Sequence, residues 1–399
     1  MRKEERFEFN FTEENRLVDE IGFNPYYQKI SSGAGLYVRI GNDDYLNLAS
    51  NNYLALADDP EVISAMKKCL DKYGVSMCGT PVACGYSDIY ETASRTVSEF
   101  LGLEDTLFYP SCYQANMSIF RSLARPEDVI FVDRYAHSSL VEGIRSPGCR
   151  IKPFRHNDAD HLESLLKSSG AFEVKFVVTE SVFSTEGTIA PFDELNELCK
   201  KYGAIPVVDD SHGIGTIGRS GKGILEEKNI KDYSGIYTAS TGKALGISGG
   251  IVSAPETIIN YIRYNSPGLI YSTAVPPVLL AGTIRALEII GKKGALFSER
   301  LTANKLKIHT ALSSHGYDLA SGDAPICSVK TGSNEITLKI CRSLYERGIL
   351  ATPFIYPSVS RNKGIIRMIP RIDLESTHLD HILRSFANIR AENPELFIK

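Results

Sequence analysis

The chain has 399 residues, of which 43% are hydrophobic and 23% charged, and its formal net charge is −4. That is an ordinary globular composition, long enough for one large domain and one smaller one. Dispersed basic residues argue against a nucleic-acid or anionic-membrane partner, and no apolar run approaches the roughly 20 residues that cross a bilayer. Met1-Arg-Lys-Glu-Glu-Arg-Phe-Glu-Phe9 has no apolar signal core and is too acidic for a transit peptide. The eight cysteines are scattered, with no Cys-x-x-Cys pair and no histidine cluster at metal spacing. This predicts a reducing, cytoplasmic setting with no disulfide framework and no metal.

Residues 1–50 read as an irregular arm. Within it, Leu36-Tyr-Val-Arg-Ile40 and Tyr45-Leu-Asn-Leu48 look like strands around a turn at 41–44. After the polar corner Ser50-Asn-Asn-Tyr53, Asp59-Pro60 opens a helix whose apolar stripe includes Val62, Met66, Cys69 and Tyr73. Residues 74–85 are rich in glycine and proline and predict a loop. Helices are then predicted over 88–101, 113–124, from near His137, and over 158–168 and 191–202. They alternate with strand-like runs at 106–109, 129–132, 150–154, 174–178 and 204–208, a pattern that indicates a mostly parallel sheet covered on both faces. A long helix is predicted from about 275 to 290, broken by Gly291-Lys-Lys-Gly294. Beyond it come helices 298–314, 334–347 and 376–391 and strands 326–329 and 365–368. The expected organisation is an arm over 1–58, a large α/β domain over 59–290 and a small α+β domain over 291–399.

Polar groups collect where ligands bind in such sheets, beyond the carboxyl ends of the strands. Tyr109-Pro-Ser-Cys-Tyr-Gln-Ala-Asn116 is a strand, a tight turn and a helix start. The free N–H groups of Ser111, Cys112 and Tyr113 suit an anion there, although an ordinary connection would read the same way. In Val207-Val-Asp-Asp-Ser-His-Gly213, Asp209 ends a buried strand, with His212 three residues on. A carboxylate in so dry a place needs a cationic partner. A helix cap, a structural ion pair or a nucleotide-binding strand would also fit. The nucleotide reading requires Gly-x4-Gly-Lys-[Ser/Thr], which neither residues 235–244 nor 218–223 satisfy. His137 follows another strand, a position that suits either a structural or a functional histidine. Lys243 sits among Ser240, Thr241, Gly242 and Ala244, small neighbours that let its amine approach a bound molecule closely, although a solvated lysine in a Gly/Ser loop would read the same way.

Together these stretches resemble the α-oxoamine synthase family of pyridoxal-phosphate enzymes, on the fold-type I aminotransferase scaffold. The most specific parts are Ala136-His-Ser-Ser-Leu-Val-Glu-Gly143, Val182-Phe-Ser-Thr-Glu-Gly-Thr-Ile-Ala-Pro191, Val208-Asp-Asp-Ser-His-Gly213, Thr238-Ala-Ser-Thr-Gly-Lys-Ala-Leu-Gly246 and Ile270-Tyr-Ser-Thr-Ala-Val-Pro-Pro277. The resemblance implies that Lys243 forms the Schiff base with pyridoxal 5′-phosphate and that Asp209 keeps its pyridine nitrogen protonated. It implies that His137 stacks on the ring and that His212 and Ser184 lie beside the phenolic oxygen. Ser240 and the Ser111, Cys112 and Tyr113 turn would hold the phosphate, with Thr273 reaching the cofactor of the neighbouring subunit in a homodimer with shared active sites. Arg367 would clamp the amino acid's carboxylate, and Asn51 would lie near that substrate.

The implied reaction joins a small amino acid to an acyl-CoA or acyl-carrier thioester with decarboxylation. The alternatives on the same resemblance are an aminotransferase, a carbon–carbon lyase, or a non-catalytic subunit. Three positions depart from the family pattern: Pro81 in place of an arginine, Tyr90 in place of a histidine, and Cys112 in place of a glycine. The first two point away from the standard biotin-pathway substrate. Segments around Phe183 and Ser360 look closer to the branch that makes long-chain aminoketone signals.

Overall fold

The computed structural model describes residues 12–170 and 172–397, with side chains from Arg16 onward. The expectation for Met1 to Phe9 lies outside the described residues. The chain divides into two units. One comprises the described residues up to Ser50, Thr185–Gly187 and those from Ala303 on; the other comprises Asn51–Ser184 and Thr188–Thr302.

The second unit begins with α1 (Pro60–Tyr73), whose first turn is capped by the Asp59 carboxylate accepting from the N–H groups of Glu61 and Val62. There follow α2 (Asp88–Leu101), β1 (Asp105–Tyr109), α3 (Cys112–Leu123), β2 (Val129–Asp133), α4 (Ser138–Arg145), β3 (Arg150–Phe154) and α5 (Ala159–Lys167). The series continues with β4 (Lys175–Glu180), α6 (Phe192–Tyr202), β5 (Ile205–Asp209), β6 (Ile236–Ser240) and β7 (Gly250–Ala254). Helix starts follow the polar caps in the sequence: Ser87, Ser111, His137 and Asp158 each accept an N–H of the first turn. Gly102 and Gly203, both left-handed, close α2 and α6.

The seven strands form one sheet in the order β1-β7-β6-β5-β4-β2-β3. All neighbours are parallel except β7, which runs antiparallel to both β6 and β1. The connection between Ser240 and Gly250 is too short for the crossover that a parallel strand needs, so the chain returns as a hairpin. Leu107, Ile130, Val178, Val207, Ile236 and Val252 build the core with Ile119, Phe120, Leu140 and Ile144 from the helices. Each such side chain contributes about 1.5–3 kcal/mol through burial. The carboxyl ends of β2, β4, β5 and β6 carry Asp133, Glu180, Asp209 and Ser240. Register places Glu180 opposite Asp209 and Asp209 opposite Thr238.

The first unit holds two three-stranded sheets. Tyr37–Ile40 and Asp43–Asn47 form a hairpin whose turn is tighter than expected, and Ile349–Leu350 adds to it in parallel. Cys327–Gly332, Gly364–Met368 and Thr352–Phe354 make the other sheet, all antiparallel. Ile340 and Leu344 from helix Asn334–Tyr345, and Ile382 and Phe386 from helix Ser376–Glu392, pack with Leu46, Ile366 and Met368. The buried Arg371 pairs with Asp373 and donates to the carbonyls of Ala34 and Gly35.

Three expectations are corrected. Thr12–Ile21 is a helix rather than irregular arm. Residues 74–85 are not all loop, since Pro81–Gly85 winds into one wide turn with the Thr80 carbonyl accepting from Ala83, Cys84 and Gly85. The predicted break at Gly291-Lys-Lys-Gly294 does not exist, because one helix runs from Pro277 to Ser314. Gly294 is there for contact rather than for a turn: a Cβ on it would lie 1.9 Å from the Ser220 carbonyl oxygen.

Candidate active site

The site is built at the carboxyl ends of the central strands of the second unit. Asp209, at the end of β5, is buried, and each of its oxygens has a defined donor. Ser211 N–H donates to Oδ1 at 3.0 Å and the Asn116 amide to Oδ2 at 2.7 Å. Asn116 is turned by its other bonds. Its Oδ1 accepts from Thr238 Oγ1 at 2.8 Å, which leaves Nδ2 to donate to both Asp209 and Ser139 Oγ, the latter at 3.0 Å. With its oxygen accepting from Asn116, Ser139 turns its own O–H to His137 Nδ1 at 2.8 Å. The Ser139 N–H also donates to that nitrogen, at 3.3 Å. His137 therefore keeps Nδ1 as an acceptor, and its ring hydrogen sits on Nε2. Burial lowers its pKa, which Asp209 opposes and Lys243 reinforces, so the neutral ring prevails. One polar relay thus runs His137–Ser139–Asn116–Asp209.

Glu180, opposite Asp209 on β4, was not singled out from the sequence. Burial pushes its carboxyl well above the usual carboxylate range, the Asp209 charge pushes the same way, and Lys243 and the main-chain N–H of His137 pull against them. The protonated form of Glu180 is therefore favoured. His212 is buried, with Nδ1 2.9 Å from the Tyr53 hydroxyl and the two rings edge to face. Lys243 is half-buried in the turn after β6, and its charge acts on His137, Glu180 and Cys112.

The helix-start cradle is present. Ser111 caps α3, and the backbone of Ser111 and Cys112 lies against Gly250, where a Cβ would come 2.4 Å from Cys112 N. Gly250 is paired with Ser240 in the hairpin, and Ser240 N–H donates to Ser211 Oγ at 2.8 Å. Ser111, Cys112 and Ser240 therefore converge on one corner. Cys112 is a buried, neutral thiol whose pKa burial raises; its Sγ lies 4.0 Å from both Asp209 oxygens and accepts from Ser211 Oγ at 3.4 Å. Tyr113 turns its ring outward, and its hydroxyl donates to Glu142.

The remaining expected residues are placed as follows. Thr273 is exposed. Ser184 is half-buried in the turn after β4. Asn51 opens the second unit with a buried Oδ1 that has no hydrogen-bond partner among the described residues. Arg367 belongs to the first unit, where it is buried on Gly364–Met368 with its guanidinium 4.8 Å over the Phe354 ring. Of the departures, Tyr90 is fully buried and pins β1, its hydroxyl accepting from Phe108 N–H at 2.8 Å. Pro81 starts the wide turn before α2.

The donor set fits pyridoxal 5′-phosphate. There is an amine for an aldehyde, a buried carboxylate for a protonated ring nitrogen, and a glycine-floored corner with serine hydroxyls and a helix N-terminus for a phosphate. The described residues contain no group of three or more His, Cys, Asp or Glu side chains placed to hold a metal, and no helix among them is long and apolar enough to cross a membrane.

Comparison with known proteins agrees. The aminotransferase class I and II family profile matches residues 43–386. A 2-amino-3-ketobutyrate coenzyme A ligase of Salmonella typhimurium is 35% identical over 328 residues, 81% of each chain. An 8-amino-7-oxononanoate synthase of Thermoanaerobacter pseudethanolicus is 31% identical over 376 residues, 93% of this chain and 95% of that one. The solved Sphingomonas wittichii serine palmitoyltransferase superposes with a TM-score of 0.94 over 98% of both chains at 24% identity, a likeness of fold. The chain belongs to the aminotransferase class I and II family and, within it, to the α-oxoamine synthases, pyridoxal-phosphate-dependent C-acyltransferases of the fold-type I scaffold.

Proposed function

We propose that the cluster at the carboxyl ends of the central strands of the second unit is the catalytic centre, and that it condenses a small amino acid with an acyl thioester. The amino acid's Cα–carboxylate bond and the thioester's C–S bond break, a Cα–acyl bond forms, and an α-aminoketone, carbon dioxide and the free thiol leave. The observation that carries this reading is the set of donors around Asp209. Asn116 and Ser211 each donate to one of its oxygens, beside a His137 whose neutral form burial favours and on which the charge of Lys243 acts.

Bound here, pyridoxal 5′-phosphate supplies an aldehyde that condenses with amines and a protonated ring that draws electron density from Cα. Asp209 holds the proton on the ring nitrogen, since a buried carboxylate favours a cation against it. Lys243 provides the anchoring amine and, once displaced, moves a proton at Cα. Neutral His137 presents its ring face and Nε2–H, while His212 and Ser184 serve the phenolic oxygen. Ser111, Cys112, Tyr113 and Ser240 hold the phosphate with hydroxyls and backbone N–H groups. Arg367 takes the substrate carboxylate, and Asn51 lies on the substrate side.

The functional unit in this reading is a homodimer, with the exposed Thr273 serving the partner's cofactor. All eight cysteines are free thiols, which supports a reducing, cytoplasmic setting.

Borohydride reduction of the cofactor-loaded protein, followed by peptide mass spectrometry, tests the centre. The adduct is expected on Lys243, and an adduct on another lysine overturns the assignment. Release of free CoA from acyl-CoA plus amino acid, with no keto acid consumed, separates acyl transfer from transamination.

A further inference from the structure

His156 has no part in the chemistry above, yet both of its nitrogens and its ring are engaged. Nδ1 lies 3.1 and 3.2 Å from the two oxygens of Asp133, whose side chain is wholly buried at the end of β2. Asp133 also accepts the N–H groups of Tyr135 at 2.8 Å and Asn157 at 2.9 Å. A carboxylate only accepts, so Nδ1 carries the ring hydrogen. Nε2 lies 3.2 Å from Thr188 Oγ1. The Tyr135 ring stacks on the imidazole with centroids 4.6 Å apart, and the Phe183 ring meets it edge to face at 4.3 Å.

These contacts converge on two turns that carry cofactor residues. Tyr135 is two residues before His137, in the bend that leaves β2, where Ala136 N–H donates to the Asp133 carbonyl at 3.0 Å. Phe183 directly precedes Ser184, and its N–H donates to the Thr188 carbonyl at 3.0 Å. Val182 and Ile189 bridge just outside that pair. One imidazole thus stands between the turn bearing His137 and the turn bearing Ser184.

We propose that His156 is a positioning residue of the centre: tied to Asp133 on one side and Thr188 on the other, it fixes the His137 turn against the Ser184 turn, so that both side chains keep their places about the cofactor ring. The inference rests on the roles proposed above for those two residues. Stacking sets the plane of the imidazole but lets it rotate within that plane. The bonds from its two nitrogens remove the rotation, because hydrogen bonds weaken steeply when misaligned. A purely structural pair with Asp133 would need Nδ1 alone; the bond from Nε2 is what joins the second turn. Alignment matters here because a misplacement of about 1 Å can cost about a hundredfold in rate.

The test uses full-length protein and pyridoxal 5′-phosphate as the probe. Thr188→Val keeps the branched side chain and removes the hydroxyl that meets Nε2, Thr188→Ser keeps that hydroxyl, and His156→Ala removes the whole tether. Titration gives the cofactor dissociation constant, circular dichroism in the cofactor's visible band reports how the ring is held at saturation, and the apo-protein melting temperature reports stability. Loss of one hydrogen bond is expected to weaken cofactor binding by about threefold to tenfold in Thr188→Val, and His156→Ala by more than about tenfold. Both are expected to lose at least about half of the visible dichroism, with Thr188→Ser close to wild type. Wild-type affinity and dichroism in either Thr188→Val or His156→Ala overturns the proposal, even if the melting temperature falls, and so does a Thr188→Ser that behaves like Thr188→Val. If His156→Ala does not fold, the two Thr188 variants decide by the same criteria. Wild type that fails to take up the cofactor at Lys243 would sink the reading of the centre and this inference with it, whereas normal uptake with indifferent variants would sink only this inference.

Discussion

Asn116 donates its side-chain amide to the Asp209 carboxylate at 2.7 Å, joining the first turns of α3 to the end of β5 across ninety-three positions of sequence. Because Thr238 fixes the amide's orientation, Asp209 always faces a donor on that side, and its second oxygen is held by Ser211 N–H. The carboxylate is thereby aimed before any ligand arrives, which is how a buried charge becomes useful.

Removing that donor has a calculable effect. A hydrogen bond to a charged group contributes about 1.5–3 kcal/mol, so Asn116→Ala is expected to weaken cofactor binding by roughly tenfold to a hundredfold. Asn116→Asp, which places a second carboxyl against Asp209, is expected to weaken it further. Cofactor titration of the purified variants checks both. Equal affinity in all three proteins would show that Asp209 needs no help from α3.

Tyr53 and His212 make a second testable pair, 2.9 Å apart and buried. Tyr53→Phe keeps the ring and its packing but removes the hydroxyl that fixes the state of Nδ1. The expected result is a kcat lower by about tenfold and a stability loss of about 1 kcal/mol. Steady-state kinetics and urea unfolding report the two numbers separately. An unchanged kcat with the stability loss would mean that the hydroxyl serves only packing.

Gly250 carries a steric prediction. A Cβ there would fall 2.4–2.6 Å from Cys112 N, Cys112 Cα and the Ser111 carbonyl carbon, all backbone atoms that cannot swing aside. Gly250→Ala must therefore lift the start of α3 away from the hairpin. Overpacking of this kind costs about 1–3 kcal/mol, and it disturbs the corner assigned to the phosphate. The variant is expected to bind pyridoxal 5′-phosphate at least tenfold more weakly while its loss for pyridoxal lacking the phosphate is smaller. Equal losses for both ligands would argue that the cradle lies elsewhere.

The large unit was legible because each local signal agreed with the tertiary answer. Asp59-Pro60 and Ser87 start helices where their side chains can cap, Gly102 and Gly203 stop them, and apolar runs such as Val129-Ile-Phe-Val132 are buried on both faces. Local propensity failed where a distant contact decided the outcome. Gly291 and Gly294 read as a break, yet Gly294 lies mid-helix because Ser220 leaves no room for a side chain. At the site, Lys243, Asp209, His137 and His212 announce themselves by residue type and position. Asn116 and Glu180 do not: each looks like the polar margin of an amphipathic element, and only strand order brings both to Asp209. An asparagine on the mostly apolar buried face of α3, which also holds Ser118, was the signal available, and it is a weak one.

Asp210, next to Asp209, supplies a prediction about pH and stability. It is fully buried, its Oδ2 accepts from the Tyr237 hydroxyl at 2.7 Å and from Ile224 N–H at 3.1 Å, and Gly213 and Gly223 close over it. Burial raises its pKa from the ordinary 3.8 to about 7. Below about pH 4 folded and unfolded chains both carry this proton. Between there and about pH 7 the unfolded chain releases it while the folded chain keeps it, so the contribution to stability falls as pH rises and levels off above 7. Asp210→Asn has the same size and no proton to lose. The wild-type melting temperature minus that of Asp210→Asn is therefore expected to fall steadily from pH 5 to pH 7.5 and then stay constant. Differential scanning fluorimetry across that range checks the slope, and a difference that is flat or rises with pH would show that Asp210 is ionised in the folded protein.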